Sequence, residues 1–167
     1  MKFLFITRTA WDEPPRARHQ LARALAKRYE VVFVALNVKG KPGLNIDVPE
    51  ENITLVLPTW HISGKYVFRL PIINEMYQQW LFKQLQKKYS SYSIINFDPS
   101  ASLIHNYFKD VVYFCNHNFI DRKRSKSILI SLYYYFTQRA VAKKARFCTG
   151  VAVYLQDLLK KHNNRSF

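Results

Sequence analysis

Lys2-Phe3-Leu4-Phe5-Ile6-Thr7 is a short apolar run, and together with the loop and the helix after it, it decides the fold. The loop Arg8-Thr9-Ala10-Trp11-Asp12-Glu13-Pro14-Pro15 comes next. Ala17 to Arg28 is then an uninterrupted row of good helix formers. Glu30-Val31-Val32-Phe33-Val34-Ala35-Leu36 reads as a second buried strand. A helix between two such strands carries the chain back to its starting edge, so the strands lie parallel in one sheet. Sheets of this kind take ligands at the loops on the carboxyl ends of their strands.

The rest of the chain repeats the alternation. Asn37 to Asn52 carries Gly40, Pro42, Gly43 and Pro49 and reads as a loop. Ile53 to Leu57 is a strand stopped by Pro58, and Thr59 to Leu70 is irregular. Asn74 to Tyr89 has helical period, and Tyr92 to Phe97 is a strand ended by Asp98-Pro99. Ala101 to Phe108 reads as a short helix and Asp110 to Cys115 as a strand. The strand runs into the polar loop Asn116-His117-Asn118. Ser127 to Lys144 is a long helix, Arg146 to Thr149 a brief strand, and Val151 to Lys161 a closing helix. These elements predict an α/β, Rossmann-like sheet of about six to seven strands, mostly parallel, with helices on both faces. Residues 1–161 form one domain in this reading. The polar tail 162–167 is read as the start of an interdomain linker and not as a folded terminus.

Lys and Arg number 26 against 11 Asp and Glu, a formal charge of +15. Such a surface favours anionic partners: nucleic acid, anionic lipid or a phosphate-bearing substrate. The aromatic share is high, with 11 Tyr, 12 Phe and 3 Trp, more than a core alone requires. Cys115 and Cys148 fall in predicted parallel strands and are expected as reduced core fillers. No secretory signal is visible, so an intracellular, reducing setting is expected. The five histidines and two cysteines lack metal-ligand spacing, so no metal is expected.

Candidate site residues come from the strand ends. Arg8, Thr9 and Trp11 succeed the first strand, and Arg16 starts the helix. A helix N-terminus with two arginines makes an anion pocket. The Gly-rich fingerprint of dinucleotide folds is missing, with Pro14-Pro15 in its place, so no bound NAD or FAD is expected. The bland alternatives are a stiff helix start for the prolines and a loop cover for Trp11. His117, flanked by Asn116 and Asn118, suits a general base or a sugar-hydroxyl ligand; otherwise it is a solvated loop histidine. Asp98 reads as a cap for the helix beginning near Ser100, with ligand binding the weaker reading. From Lys65 to Tyr89 aromatics and cations interleave. Most of that stripe is expected in the core. A rim of Tyr66, Phe68, Trp80 and Phe82 with Lys65, Arg69, Lys83, Lys87 and Lys88 would meet an anionic membrane.

Three segments in order carry a family resemblance. Leu21-Ala22-Arg23-Ala24-Leu25-Ala26 before Glu30-Val31-Val32-Phe33-Val34 is similar to "LAxxLxxxGHEVxVV". Val111 to His117 is a strand ending in a histidine. Ala145-Arg146-Phe147-Cys148-Thr149-Gly150 with Tyr154-Leu155 is similar to "ADxVxxxSxxLxxxL". Together they resemble the N-terminal, acceptor-binding domain of GT-B glycosyltransferases of the family 4, or group 1, type. Three departures stand out. Pro14-Pro15 replaces a glycine pair, His19 is out of step with a helix histidine, and Ala152 replaces a serine. The resemblance implies a hexosyltransferase in polysaccharide or cell-envelope biosynthesis. It would pass sugar from a nucleotide-sugar to a glycan or lipid-linked acceptor at the inner face of the cell membrane. His117 would be catalytic, and Arg8, Thr9, Trp11, Arg16, Asp98 and Asn118 would hold the acceptor. A C-terminal donor-binding domain would bind the nucleotide-sugar, so this chain alone is expected to be inactive and to hold no cofactor of its own.

The rival reading is a non-catalytic basic module for anionic membrane or RNA. Its basic residues are spread along the chain and no nucleic-acid motif is present, so nucleic acid is the less expected partner. A stand-alone flavodoxin-like regulator is the third reading, and it predicts a closed polar rim instead of an open cleft.

Overall fold

The computed structural model describes residues 1–115 and 128–166. Within them an eight-stranded sheet is built from β1 (Lys2–Ile6), β2 (Glu30–Val34), β3 (Val38–Lys39), β4 (Gly43–Glu50), β5 (Ile53–Trp60), β6 (Ser93–Asn96), β7 (Val111–Cys115) and β8 (Phe147–Gly150). The helices are α1 (Ala17–Ala26), α2 (Gly64–Val67), α3 (Pro71–Tyr89), α4 (Ile128–Lys144) and α5 (Val153–Lys160), with a 3-10 turn at Ile104–Asn106. The strand order is β3-β5-β2-β1-β6-β7-β8, all parallel, and β4 runs antiparallel along β5. The mostly parallel Rossmann-like architecture read from the sequence is the one observed.

The β1–β2 register pairs Leu4 with Val32 and Ile6 with Val34, and Phe5 with Phe33 between them. Leu4 and Ile6 face one core with Val56, Tyr77, Leu81, Phe82, Leu85 and Ile94. Phe5 and Phe33 face the other with Ala22, Ala26, Ile53 and Phe97. Period-two alternation thus gives α3 one face of the sheet and α1 the other. Ala22 and Ala26 let α1 lie close on Phe33, where a larger residue would hold it away. Each fully buried aliphatic or aromatic side chain contributes about 1.5–3 kcal/mol. A third core joins Tyr113, Cys115 and Cys148 to Val141, Leu155 and Leu159. Both cysteines are buried, and burial pushes the Cys148 thiol up to about 12.

Several local expectations need correction. Residues 37–52 are not one loop but hold β3 and β4. Leu44, Ile46 and Val48 alternate with Asn45, Asp47 and Pro49, as an edge strand does, and an edge tolerates a proline. Pro58 does not stop β5, because the β2 pairing has already ended at Val56. The irregular stretch 59–70 contains α2, and the short helix at 101–108 is reduced to the 3-10 turn. The tail is bound through residue 166. The Asn163 side-chain amide donates to the carbonyls of Ala142 and Ala145, at 2.8 and 2.9 Å, and Cys148 N–H donates to the Arg165 carbonyl at 3.1 Å. Among the described residues no helix is long and apolar enough to cross a membrane.

Candidate functional site

Strand order reverses at β1. β2 and β5 lie to one side of it, and β6, β7 and β8 to the other. The connections leaving β1 and β6 therefore diverge, and a crevice opens above those two strand ends. A cavity of about 400 Å³ lies there, lined by Arg8, Arg16, Arg18, Lys65, Arg69, Phe97, Ile130 and Tyr134. Its size falls within the ~300–1,000 Å³ usual for small-molecule sites. It is open to solvent, and five of its eight lining side chains are cationic.

The floor is built by a chain of buried hydrogen bonds. Asn96, at the end of β6, clasps its neighbour: its Nδ2 donates to the Asp98 carbonyl at 3.0 Å, and its Oδ1 accepts from Asp98 N–H at 2.9 Å. Asp98 Oδ1 accepts from Ser100 N–H at 2.8 Å and from the Ser100 hydroxyl at 2.7 Å. Gln78 on α3 closes the turn, its Nε2 donating to the Ser100 carbonyl at 2.8 Å and its Oε1 accepting from Leu103 N–H at 3.1 Å. Asn96, Asp98, Ser100 and Gln78 are all buried. The contacts among Asn96, Asp98, Ser100 and the Gln78 Nε2 are made away from water, so the turn has little freedom.

Arg8 stands on that floor. Its Nε is 3.9 Å from Asp98 Oδ1, and its guanidinium lies 3.9 Å from the centre of the Phe68 ring and 5.3 Å from that of Tyr134. The flat cation is held by two aromatic faces and one carboxylate. Tyr134, on α4, donates its hydroxyl to the Phe68 carbonyl at 3.1 Å. Burial raises the Tyr134 pKa, while the nearby Arg8 opposes the rise.

The second wall comes from the start of α1. His19 Nε2 donates to the Ala10 carbonyl at 3.1 Å, and its Nδ1 accepts from Arg16 N–H at 3.1 Å. The ring is therefore neutral, and it stacks on Phe33 at 5.3 Å. Burial is the main cause of its lowered pKa. His19 fixes how the loop enters the helix and so aims Arg16 and Arg18. Arg16 pairs with Glu13 at 3.1 Å. Arg18 is only 7% exposed, and its Nε has no hydrogen-bond partner among the described residues. Burial first, then the neighbouring Arg16, lowers its pKa.

The third wall is α2. Gly64 N–H donates to the Asn37 carbonyl at 3.1 Å, and Asn37 Nδ2 donates to the Ile62 carbonyl at 2.8 Å. A Cβ on Gly64 would lie 2.4 Å from Leu36 Cδ1 and 2.7 Å from Asn37 Oδ1, so glycine lets α2 sit against the end of β2 without moving either side chain. That contact brings Lys65 and Arg69 to the cavity.

The residues singled out from sequence are distributed unevenly. Arg8 and Arg16 line the crevice, and Asp98 both caps the turn at Ser100 and steadies Arg8. Thr9 and Trp11 do not line it. Thr9 is buried, and its N–H and carbonyl bond to Thr7 Oγ1 and Leu36 N–H. Trp11 packs edge-on against Phe33 at 4.9 Å, as a loop cover does. His117 and Asn118 lie outside the described residues. The expected membrane rim is broken up. Phe68 and Phe82 are buried in the core, Lys65 and Arg69 turn to the crevice, and Trp80, Lys87 and Lys88 line a separate groove with Leu44. Arg18 and Tyr134 join the site without having been singled out. The signal for Arg18 lies in the sequence: Arg16 at the N-cap and Arg18 in the first turn of α1 stand with no acid in that turn, the reverse of what the helix dipole favours.

No family model matches the sequence, and no curated protein does. Solved structures do. The chain is similar to sucrose-phosphate synthase from Thermosynechococcus elongatus at 11% identity and a TM-score of 0.70, with 99% of this chain covering 46% of that one. A shorter form of that synthase matches at 10% identity and a TM-score of 0.65, with 85% of its length covered. Trehalose-6-phosphate synthase from E. coli, bound with UDP-2-fluoro glucose, matches at 8% identity and a TM-score of 0.54, over 92% of this chain and 40% of that one. The chain therefore shares its fold with part of each of these proteins. The chain spans about half the length of the two full synthases it matches.

Proposed function

We propose that this chain is the acceptor-binding, N-terminal half of a glycosyltransferase that moves a sugar from a nucleotide-sugar to an acceptor hydroxyl. The observation that carries the reading is the open crevice above β1 and β6, built on a fold shared with half of a sugar-transfer enzyme. Its chemistry suits holding an acceptor. Arg8 is pre-oriented by Asp98, Phe68 and Tyr134, so it binds without first losing rotamer freedom. Phe97, Ile130 and Tyr134 offer an apolar wall for a sugar ring. A donor-binding half would face the crevice and supply the nucleotide-sugar. The fold alone does not assign an activity, so the residues must.

In this reading His117, after β7, orients the acceptor hydroxyl or steadies charge in the transition state, and Asn118 adds a hydroxyl ligand. The wider assignment is polysaccharide or cell-envelope glycan synthesis, at the cytoplasmic face of the membrane and without a metal. The test is to express the chain together with a donor-binding half and follow sugar-nucleotide consumption across an acceptor panel. Expected is acceptor-dependent consumption that needs both halves and falls about 10²-fold or more in His117→Ala. Full consumption in His117→Ala removes that residue. Acceptor binding by the isolated chain that is indifferent to Arg8→Ala overturns the crevice as the acceptor site.

A further inference from the structure

Counting charge in the crevice narrows the kind of molecule it takes. Arg8 has Asp98 and Arg16 has Glu13. Arg18, Lys65 and Arg69 have no ion pair among the described residues, and no acidic side chain lines the cavity. Three uncompensated cations thus converge from two elements, α1 and the α2 region. Arg16 adds a like charge beside Arg18, and Arg18 also gives up water for no hydrogen bond at Nε. Arg16 and Arg18 further sit at the positive end of the α1 dipole. An arrangement this unfavourable when empty is stabilised when an anion fills it.

The size of the excess sets the charge of that anion. A carboxylate brings one negative charge and leaves most of the excess. A phosphate monoester brings close to two and three strong acceptor oxygens, and a pyrophosphate brings more. Guanidinium groups meet such oxygens with paired N–H donors, and Lys65 adds a point charge. The apolar wall of Phe97, Ile130 and Tyr134 is left for the organic part of the ligand.

We propose that the crevice is a phosphoryl site: the acceptor carries a phosphate or pyrophosphate ester, bound by Arg18, Lys65 and Arg69 beside the pre-set Arg8. The proposal rests on reading the crevice as the acceptor site. The same headgroup chemistry occurs in a soluble sugar phosphate and in a lipid-linked one. The two differ in what extends beyond the phosphate.

The probes are inorganic phosphate and inorganic pyrophosphate, titrated into the 167-residue chain by calorimetry and by thermal midpoint. Pyrophosphate is expected to bind more tightly than phosphate, to raise the midpoint, and to lose affinity steeply with added salt. Arg18→Gln is expected to weaken binding about 10-fold or more, whereas Arg23→Gln, on the far side of α1, changes it less than about 2-fold. Lys65→Gln, on a different element, gives an independent reading should Arg18→Gln fail to fold. Equal losses in Arg18→Gln and Arg23→Gln would mean diffuse attraction and would sink the site. So would the absence of saturable pyrophosphate binding. Phosphatidylcholine vesicles with and without polyprenyl diphosphate, set against a hexose phosphate in solution, separate the lipid-linked source from the soluble one. Should pyrophosphate bind through Arg18 while the two-half enzyme transfers sugar to no phosphorylated acceptor, the anion site stands and its acceptor role falls. Transfer to unphosphorylated acceptors alone, with no pyrophosphate binding, reverses that outcome.

Discussion

Arg18 and Arg23 share one short helix and meet opposite electrostatic surroundings. Arg23 forks onto Glu50, with Nε and Nη2 at 2.9 and 2.7 Å from Oε1, and its guanidinium lies 5.1 Å from the Trp11 ring centre. Side-chain hydrogen bonding to Glu50 raises its pKa and lowers that of Glu50. Arg18 faces the crevice, buried and without a partner for its Nε among the described residues. The first arginine fastens α1 to the end of β4. The second contributes nothing evident to the fold. A charge with its counter-charge built in is structure, and a charge held ready without one is a binding site waiting for its ligand.

The sharpest way to break this contrast is to remove the floor under the crevice. Asp98→Ala deletes the acceptor of two buried hydrogen bonds from Ser100 and frees Arg8. It is expected to cost about 2–3 kcal/mol in urea unfolding and to weaken anion binding as well. A loss under about half of that would mean that Asn96 and Gln78 hold the turn without the carboxylate. Next in size is the effect of pH. His19 is buried and neutral, with its pKa depressed, so the unfolded chain takes up the proton first. Its stabilisation is complete above the ordinary histidine value and is lost as the pH falls through and below it. The thermal midpoint should therefore drop between about pH 7 and about pH 5, and the drop should be shallower in His19→Gln. The depressed carboxylates Glu30, Glu50 and Asp110 act only at lower pH, as it falls below the ordinary carboxylate range. An unchanged slope in His19→Gln would shift the effect to His105 or His162, whose pKa values burial also lowers.

The smallest effect is the most direct comparison. Arg23→Met should cost about 0.5–1 kcal/mol, since the pair with Glu50 is partly exposed. Arg18→Met should cost nothing or raise stability slightly, since it removes an unpaired charge and keeps the aliphatic stem packed. If both variants lose stability equally, Arg18 is a structural residue after all and the crevice loses its strongest cation.

Much of the fold could be read from sequence because β1, β2, β6 and β7 are buried on both faces and appear as continuous apolar runs. The β4 edge strand could not be read so simply. It is largely exposed, its Gly43 and Pro49 resemble loop signals, and only the alternation of Leu44, Ile46 and Val48 betrays it. The site divides along the same line. Arg8, Arg16 and Asp98 sit at strand and helix ends, where topology alone places them. Lys65 and Arg69 arrive from a distant part of the chain, through the seating of α2 on Leu36 and Asn37. No local pattern encodes that meeting.

That seating makes Gly64 a spacer of zero thickness. A side chain there must push aside the tips of Leu36 and Asn37 or lift α2 off them, and the lift would swing Lys65 and Arg69 outward together. The mouth would gape while the sheet beneath it stayed intact. Gly64→Ala would therefore produce a well-folded protein with slackened grip, and the width of its jaws would be set by one missing methyl group.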